Sequence, residues 1–122
     1  MARIARGHTN VLRCGDLDTR RDFVDVRDAV AAYVVLMRHG RPRHVYNVCA
    51  GVSHRIGDLL DALMTLAGVR PRIEAEAARA RSRDVSDIYG DRSKIARDVG
   101  WQPTIHVEDS LKVLWEWAKT QP

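Results

Sequence analysis

The stretch RRDFVDVRDAVAAYVVLMRHG, Arg20 to Gly40, changes its period partway along. RDFVDV alternates, as an extended segment does. From Val26 onward the apolar residues Val26, Ala29, Val30, Tyr33, Val34 and Met37 recur at helical spacing and form one apolar face. Asp25 stands where a helix cap belongs, with Asp28 three positions on in a box-like arrangement. Gly40 and Pro42 end the helix. A strand running directly into an amphipathic helix, with two arginines at its start, sets the terms for the rest of the chain.

Working outward, ARIARG reads as the last turn of a helix stopped by Gly7. VLRCG (11–15) is a short strand, and GDLDT is a loop rich in turn formers. Downstream, HVYNVCAG (44–51) reads as a strand closed by Gly51. Ser53 is expected to cap a second helix whose face is Ile56, Leu59, Leu60, Leu63, Met64 and Ala67, with Gly68 as its stop. RPRIEAE (70–76) alternates as a strand, and an Arg-rich linker, ARARSRD (78–84), follows. VSDIYGD leads to a short helix, RSKIARDVG, and the turn GWQP, with Trp101 packing as a lid on that helix. The last helix, VEDSLKVLWEWAK, carries Val107, Leu111, Leu114, Trp115 and Ala118 on one face. Strands alternating with helices make an α/β arrangement.

The 122 residues allow one domain, 1–122, with a single core. A composition of 45% hydrophobic and 30% charged residues describes an ordinary globular chain. No apolar run reaches the roughly 18 residues of a membrane span, and the first ten residues lack a signal-peptide core, so a cytoplasmic protein with no membrane partner is expected. Seventeen of the 20 basic residues are Arg. Arg is the residue for gripping phosphate or carboxylate with a planar fork, although a GC-rich genome gives the same bias. The 16 acidic residues are interspersed among the basic ones, which weighs against a nucleic-acid partner. Cys14 and Cys49 lack CxxC spacing and the five His are scattered, so no metal site is expected.

Two segments suggest anion binding. Arg21, in Arg20-Arg21-Asp22-Phe23, sits between a loop and a strand, where a bidentate fork would suit a phosphate or pyrophosphate. The structural alternative is an ion pair with Asp22 or Asp25. Arg79, Arg81 and Arg83 alternate on an extended segment and point the same way, so an anion opposite them would relieve their repulsion. A solvated loop is the alternative there. Asp84 would orient one of these arginines or accept from a sugar hydroxyl.

Catalytic machinery is missing. No GxGxxG occurs to cradle a dinucleotide pyrophosphate. None of Tyr33, Tyr46 and Tyr89 has a Lys four positions later.

Taken in order, ARIARG, GDLDTRRDFVDVRDAVAAY, VYNVCAG with its helix, ARSRDVSDIYGDRSKIARDVGWQP and the closing amphipathic helix resemble the C-terminal part of the extended short-chain dehydrogenase/reductases, the NAD-dependent epimerase/dehydratases. The branch of GDP-mannose 4,6-dehydratases and GDP-4-keto-6-deoxymannose reductases is the nearest. The resemblance covers essentially the whole chain. It implies a small α/β lobe that binds a nucleotide sugar of the GDP-mannose type, packs against a Rossmann domain and holds no catalytic or cofactor-binding residue. Full-length members use NADP or NAD. The resemblance also implies that Arg21 contacts the diphosphate or base side of the ligand, that Arg81 meets the diphosphate and that Asp84 approaches the ribose. Gly15, Asp16 and Asp18 match the Gly-Asn-Leu-Asp stretch near the base. Three departures stand out: Ser82 replaces a Pro, Asp16 replaces an Asn and so only accepts hydrogen bonds, and His106 replaces a Ser or Thr helix cap. The N-terminal half of the family is not matched. The alternatives are a stand-alone interaction module, exposing the apolar surface a Rossmann partner would cover and prone to self-association, and, more weakly, nucleic-acid binding through the Arg-rich segment.

Overall fold

The computed structural model describes residues 1–75 and 85–121. Arg79, Arg81, Ser82, Arg83 and Asp84 lie outside the described residues. The elements run α1 (Ala2–Ala5), β1 (Val11–Cys14), β2 (Arg20–Asp22), α2 (Val26–His39), β3 (Ser53–Arg55), α3 (Ile56–Ala67), β4 (Arg72–Ala75), β5 (Asp87–Ile88), α4 (Ser93–Val99) and α5 (Val107–Thr120). β1 and β4 form a parallel pair in the register Val11↔Arg72 to Cys14↔Ala75. A second sheet has the order β3-β2-β5, with β2 in the centre, antiparallel to β3 and parallel to β5.

Ala32, Ile95 and Trp101 are buried at the centre of one core, with Val24, Leu36, Tyr46, Val48 and Val99 packed around them. Trp101 lies over α4 as its position after Gly100 predicts, and its indole N–H donates to the Asp28 carbonyl at 3.2 Å. Burying an indole of this size contributes on the order of 3 kcal/mol. α3 packs on α5 through its expected face, burying Met64, Leu111 and Trp115. A cavity of about 850 Å³ opens between α1, β1, α3 and α5, lined by Ile4, Leu12, Leu63, Leu114 and Trp115. Among the described residues, the expected ligand residues Gly15, Asp16, Asp18 and Arg21 do not line it.

α2 departs from its expected packing. Asp25 caps it, accepting from the Arg27 N–H at 2.9 Å. Asp28 does not close a capping box. Its carboxylate is buried and accepts from the Thr104 N–H and hydroxyl, both at 3.0 Å, and from the Ile105 N–H at 2.9 Å. The helix therefore turns its Asp28–Ala32–Leu36 side to the core, where the 101–105 turn supplies the donors that a buried carboxylate requires. The stripe of Val26, Val30, Tyr33, Val34 and Met37 faces outward, with Val26 73% and Met37 88% exposed.

Two further expectations change. Residues 44–51 keep a strand's alternation, with Tyr46 and Val48 inward and Val45 outward, yet pair with no strand among the described residues. Ser53 lies in β3 and caps nothing, since its hydroxyl accepts from Arg20 Nε at 3.2 Å. The first N–H groups of α3 are satisfied by backbone instead: Ile56 donates to Thr19 O and Gly57 to Leu17 O.

Candidate functional site

β2 presents its residues alternately to the two faces of its sheet. Arg20 and Asp22 share one face with Ser53, Arg55 and Asp87, and the contacts fit: Arg20 bonds the Ser53 hydroxyl and carbonyl and pairs with Asp87 at 3.5 Å. Arg21 emerges on the other face. Its register partners His54 and Ile88 emerge there with it, and Phe23, two residues on, follows the same alternation.

Arg21 Nη1 donates to its own neighbour's carbonyl, Arg20 O, at 2.7 Å and to Val85 O at 2.8 Å. The guanidinium is thus held against the chain immediately after Asp84. The carboxylates offered as structural partners are engaged elsewhere. Asp22 accepts three backbone N–H groups, from Ala50 and Gly51 at 2.8 Å and from Gly90 at 3.1 Å, and so ties β2 to both neighbouring loops. Asp25 takes a bidentate fork from Arg27 and the Ser110 hydroxyl, and Arg27 first, then Ser110, holds its carboxyl well below the usual carboxylate range.

The 15–18 loop leads into β2. Gly15 is half-buried just beyond β1. Asp16 folds the loop, one oxygen accepting from the Asp18 N–H at 2.8 Å and the other from the Thr19 hydroxyl at 3.1 Å. Both roles need only an acceptor, so a carboxylate serves at this position where the family pattern has an amide. Asp18 is exposed and forms a fork with Arg55 at 2.6 and 2.9 Å, and Arg55 also reaches Asp58 at 3.1 Å. Asp18 first, then Asp58, raises the Arg55 guanidinium further. That guanidinium lies over Gly57, where an added Cβ would stand 2.4 Å from Arg55 Nη1.

The structure therefore joins Gly15, Asp16, Asp18 and Arg21 in one loop-and-strand unit and brings Arg21 to Val85, while Arg81 and Asp84 fall in the undescribed segment. Sequence reasoning did not single out Phe23, His54 and Ile88 on the face of Arg21. The alternation alone would have found Phe23, whereas His54 and Ile88 needed the sheet register. Phe23 is 39% exposed and Ile88 47%. Phe23 and His54 also line a small cavity of about 300 Å³ with Val52, Thr104, His106 and Glu108.

Cys49 packs on Gly90, where a Cβ would meet its Sγ at 2.5 Å, and burial followed by the Asp22 charge pushes its thiol up. Among the described residues no group of His, Cys, Asp and Glu could hold a metal ion. The glycines with left-handed backbone do other work than cradling phosphates: Gly7, Gly68 and Gly100 follow helix ends, and Gly51 lies under the Arg92 side chain. Among the described residues no helix is long and apolar enough to cross a membrane.

This small α/β lobe, with a central strand presenting Arg and an aromatic from one face, corresponds to the C-terminal part of an extended short-chain dehydrogenase/reductase. The chain belongs to the family described as GDP-mannose 4,6 dehydratase, whose profile matches residues 1–114. It is 36% identical over 119 residues to GDP-6-deoxy-D-mannose reductase from Pseudomonas aeruginosa, covering 96% of this chain and 39% of that protein. Among solved structures, RMD from Pseudomonas aeruginosa, complexed with NADPH, superposes with a TM-score of 0.88 at 32% identity, covering 98% of this chain and 39% of that one. UDP-glucose 4-epimerase from Thermotoga maritima, solved with UDP-glucose, gives a TM-score of 0.80 at 28% identity, covering 95% and 36%. The chain thus spans about two fifths of the length of these relatives.

Proposed function

We propose that residues 1–122 form one nucleotide-sugar-binding domain of a cytoplasmic sugar-nucleotide dehydratase, reductase or epimerase, with a GDP-linked hexose of the GDP-mannose type as ligand. The observation that carries this reading is the Arg21 face of β2, where a guanidinium bonded to the Val85 carbonyl, a half-exposed aromatic ring and an imidazole share one side of the sheet. A fork and a flat apolar ring are what a diphosphate joined to a base or sugar requires. In this reading Arg21 and Arg81 meet the diphosphate, Asp84 approaches the ribose, and the Gly15–Asp18 loop lies near the base. The domain binds and orients. Hydride transfer at C4 of the hexose with NADP or NAD belongs to a Rossmann half, which supplies the Tyr-x-x-x-Lys pair and glycine-rich loop this sequence lacks.

Calorimetric titration of the purified chain with GDP-mannose, GDP, UDP-glucose, dTDP-glucose and ADP tests this, with Arg21→Ala and Arg81→Ala beside the wild type. Binding of guanine ligands alone, abolished by either substitution, is the expected result. Equal binding by the Arg21→Ala chain overturns it.

A second reading, an interaction module, is favoured by the outward stripe of α2 and the 44–51 segment, which pairs with no strand among the described residues. Together they offer an apolar helix face and a strand edge to a Rossmann sheet or a second copy. It predicts self-association and apolar-dye binding. A clean monomer that binds no dye counts against it.

A further inference from the structure

Arg21 and His54 stand directly opposite each other across the antiparallel β2–β3 ladder. Such side chains leave the sheet on the same face with Cβ atoms about 5 Å apart. His54 is half-buried, and its imidazole makes no hydrogen bond or ion pair with any described residue. Among the described residues no buried side-chain nitrogen lacks a partner, so the unbonded ring nitrogens of His54 reach solvent and are open to a ligand. The neighbours that would bond it structurally are in place but not engaged: His106 and Glu108, at the start of α5, line the same 300 Å³ cavity without bonding it. Ser53 and Arg55, beside it on β3, point to the opposite face, where Arg20 and Asp22 lie.

We propose that His54 is a second anion-facing side chain of this site, donating a ring N–H to a non-bridging oxygen of the diphosphate that Arg21 meets. This rests on the reading of Arg21 given above. Phosphate oxygens are acceptors only, so the ring must offer them a proton, and a protonated ring offers one from either nitrogen with a positive charge added to that of Arg21. The charged and titratable groups around it among the described residues are Arg21 across the ladder and His106 and Glu108 in the shared cavity. A bound diphosphate favours the charged ring, so binding draws in a proton and tightens as pH falls.

The ligand for the test is GDP-mannose rather than GDP. Its phosphates are both diesters, whereas the terminal phosphate of GDP takes up its own proton near pH 6. Titration calorimetry at pH 6.0 and 8.0, in buffers of differing ionisation enthalpy, reads both affinity and proton uptake. Wild type is expected to bind about five- to tenfold more tightly at pH 6.0 and to take up a fraction of a proton. His54→Gln and His54→Asn, which keep an amide donor, are expected to bind equally at both pH values and take up none, and His106→Gln to behave as wild type. Affinity and proton uptake in the wild type that do not vary with pH overturn the proposal while leaving Arg21 in its role. Retention of the pH dependence in both His54 variants, or its loss in His106→Gln, does the same. Binding unaffected by Arg21→Ala, or no binding of GDP-mannose at millimolar concentration, overturns the proposal and the underlying reading together.

Discussion

Asp28, in the first turn of α2, and Thr104, 76 residues further on, are joined twice: one carboxylate oxygen accepts the Thr104 N–H and the other its hydroxyl, each at 3.0 Å. The oxygen on the N–H also accepts from Ile105 at 2.9 Å. This buried contact fixes the turn that carries Trp101 and launches α5. Hydrogen bonds to a charged group contribute more than neutral ones, and removing the acceptor leaves buried donors unsatisfied. Asp28→Ala is expected to cost about 3 kcal/mol, seen as a melting temperature about 10 °C lower. Asp28→Asn, which replaces one acceptor oxygen by a donor, is expected to recover part of the loss. An Asp28→Ala chain that melts with the wild type removes this contact from the account of the fold.

The same residue explains where sequence reasoning stopped. Periodicity places α2 correctly, and it marks Val26, Val30, Tyr33, Val34 and Met37 as one stripe, but a stripe does not say what covers it. The stripe was a surface feature of this chain because the polar Asp28 finds three donors on the other side of the helix, and no local pattern announces a partner 76 residues away. Residues 44–51 read as a strand from their alternation yet pair with no strand among the described residues, because alternation reports two faces while a ladder needs a neighbour. In the site, Arg21 was legible from its motif and Phe23 from alternation. His54 and Ile88 became visible only through the β2 register, which two- and three-residue strands do not encode locally.

The outward stripe makes a prediction of its own. Met37→Lys and Val30→Ser replace side chains that are mostly exposed, so each is expected to change stability by no more than about 0.5 kcal/mol. If the stripe is the surface on which copies associate, the same changes lower the apparent mass in gel filtration and reduce apolar-dye fluorescence. A loss of several kcal/mol in either variant places the stripe in the core instead.

Acid sensitivity follows from Asp25. Its carboxyl lies below the ordinary value because Arg27 and Ser110 bond the charged form. A carboxylate depressed in the folded state contributes stability that is fully present above the unfolded value of about 3.9 and is lost as pH falls through the folded value. Asp91, held low by Ser93, and Asp109, held low by Lys112, add to the same acid limb, so the difference between variant and wild type is the useful quantity. Asp25→Ala is expected to be about 1 kcal/mol less stable at pH 7 through loss of the helix cap. That deficit should shrink as pH falls from about 4 downward, measured by urea unfolding at successive pH values. A deficit that stays constant across that range shows that the Arg27 and Ser110 contacts contribute nothing through the charge of Asp25.

Gly90 and Cys49 test the turn beside Arg21. A Cβ on residue 90 would stand 2.5 Å from Cys49 Sγ and 2.8 Å from its Cβ, closer than atoms pack. The Gly90 N–H is also bound to Asp22, so the backbone has little room to retreat. Gly90→Ala is expected to destabilise by about 1–3 kcal/mol, the usual range for overpacking. Cys49→Ala removes the sulfur but leaves the Cβ, so in the double variant it should recover part of the loss, whereas Cys49→Gly should recover more of the clash at the cost of a more flexible loop. Chemical denaturation of the four chains forms the double-mutant cycle. Additive effects, with no coupling between positions 49 and 90, would show that the two residues do not touch as described.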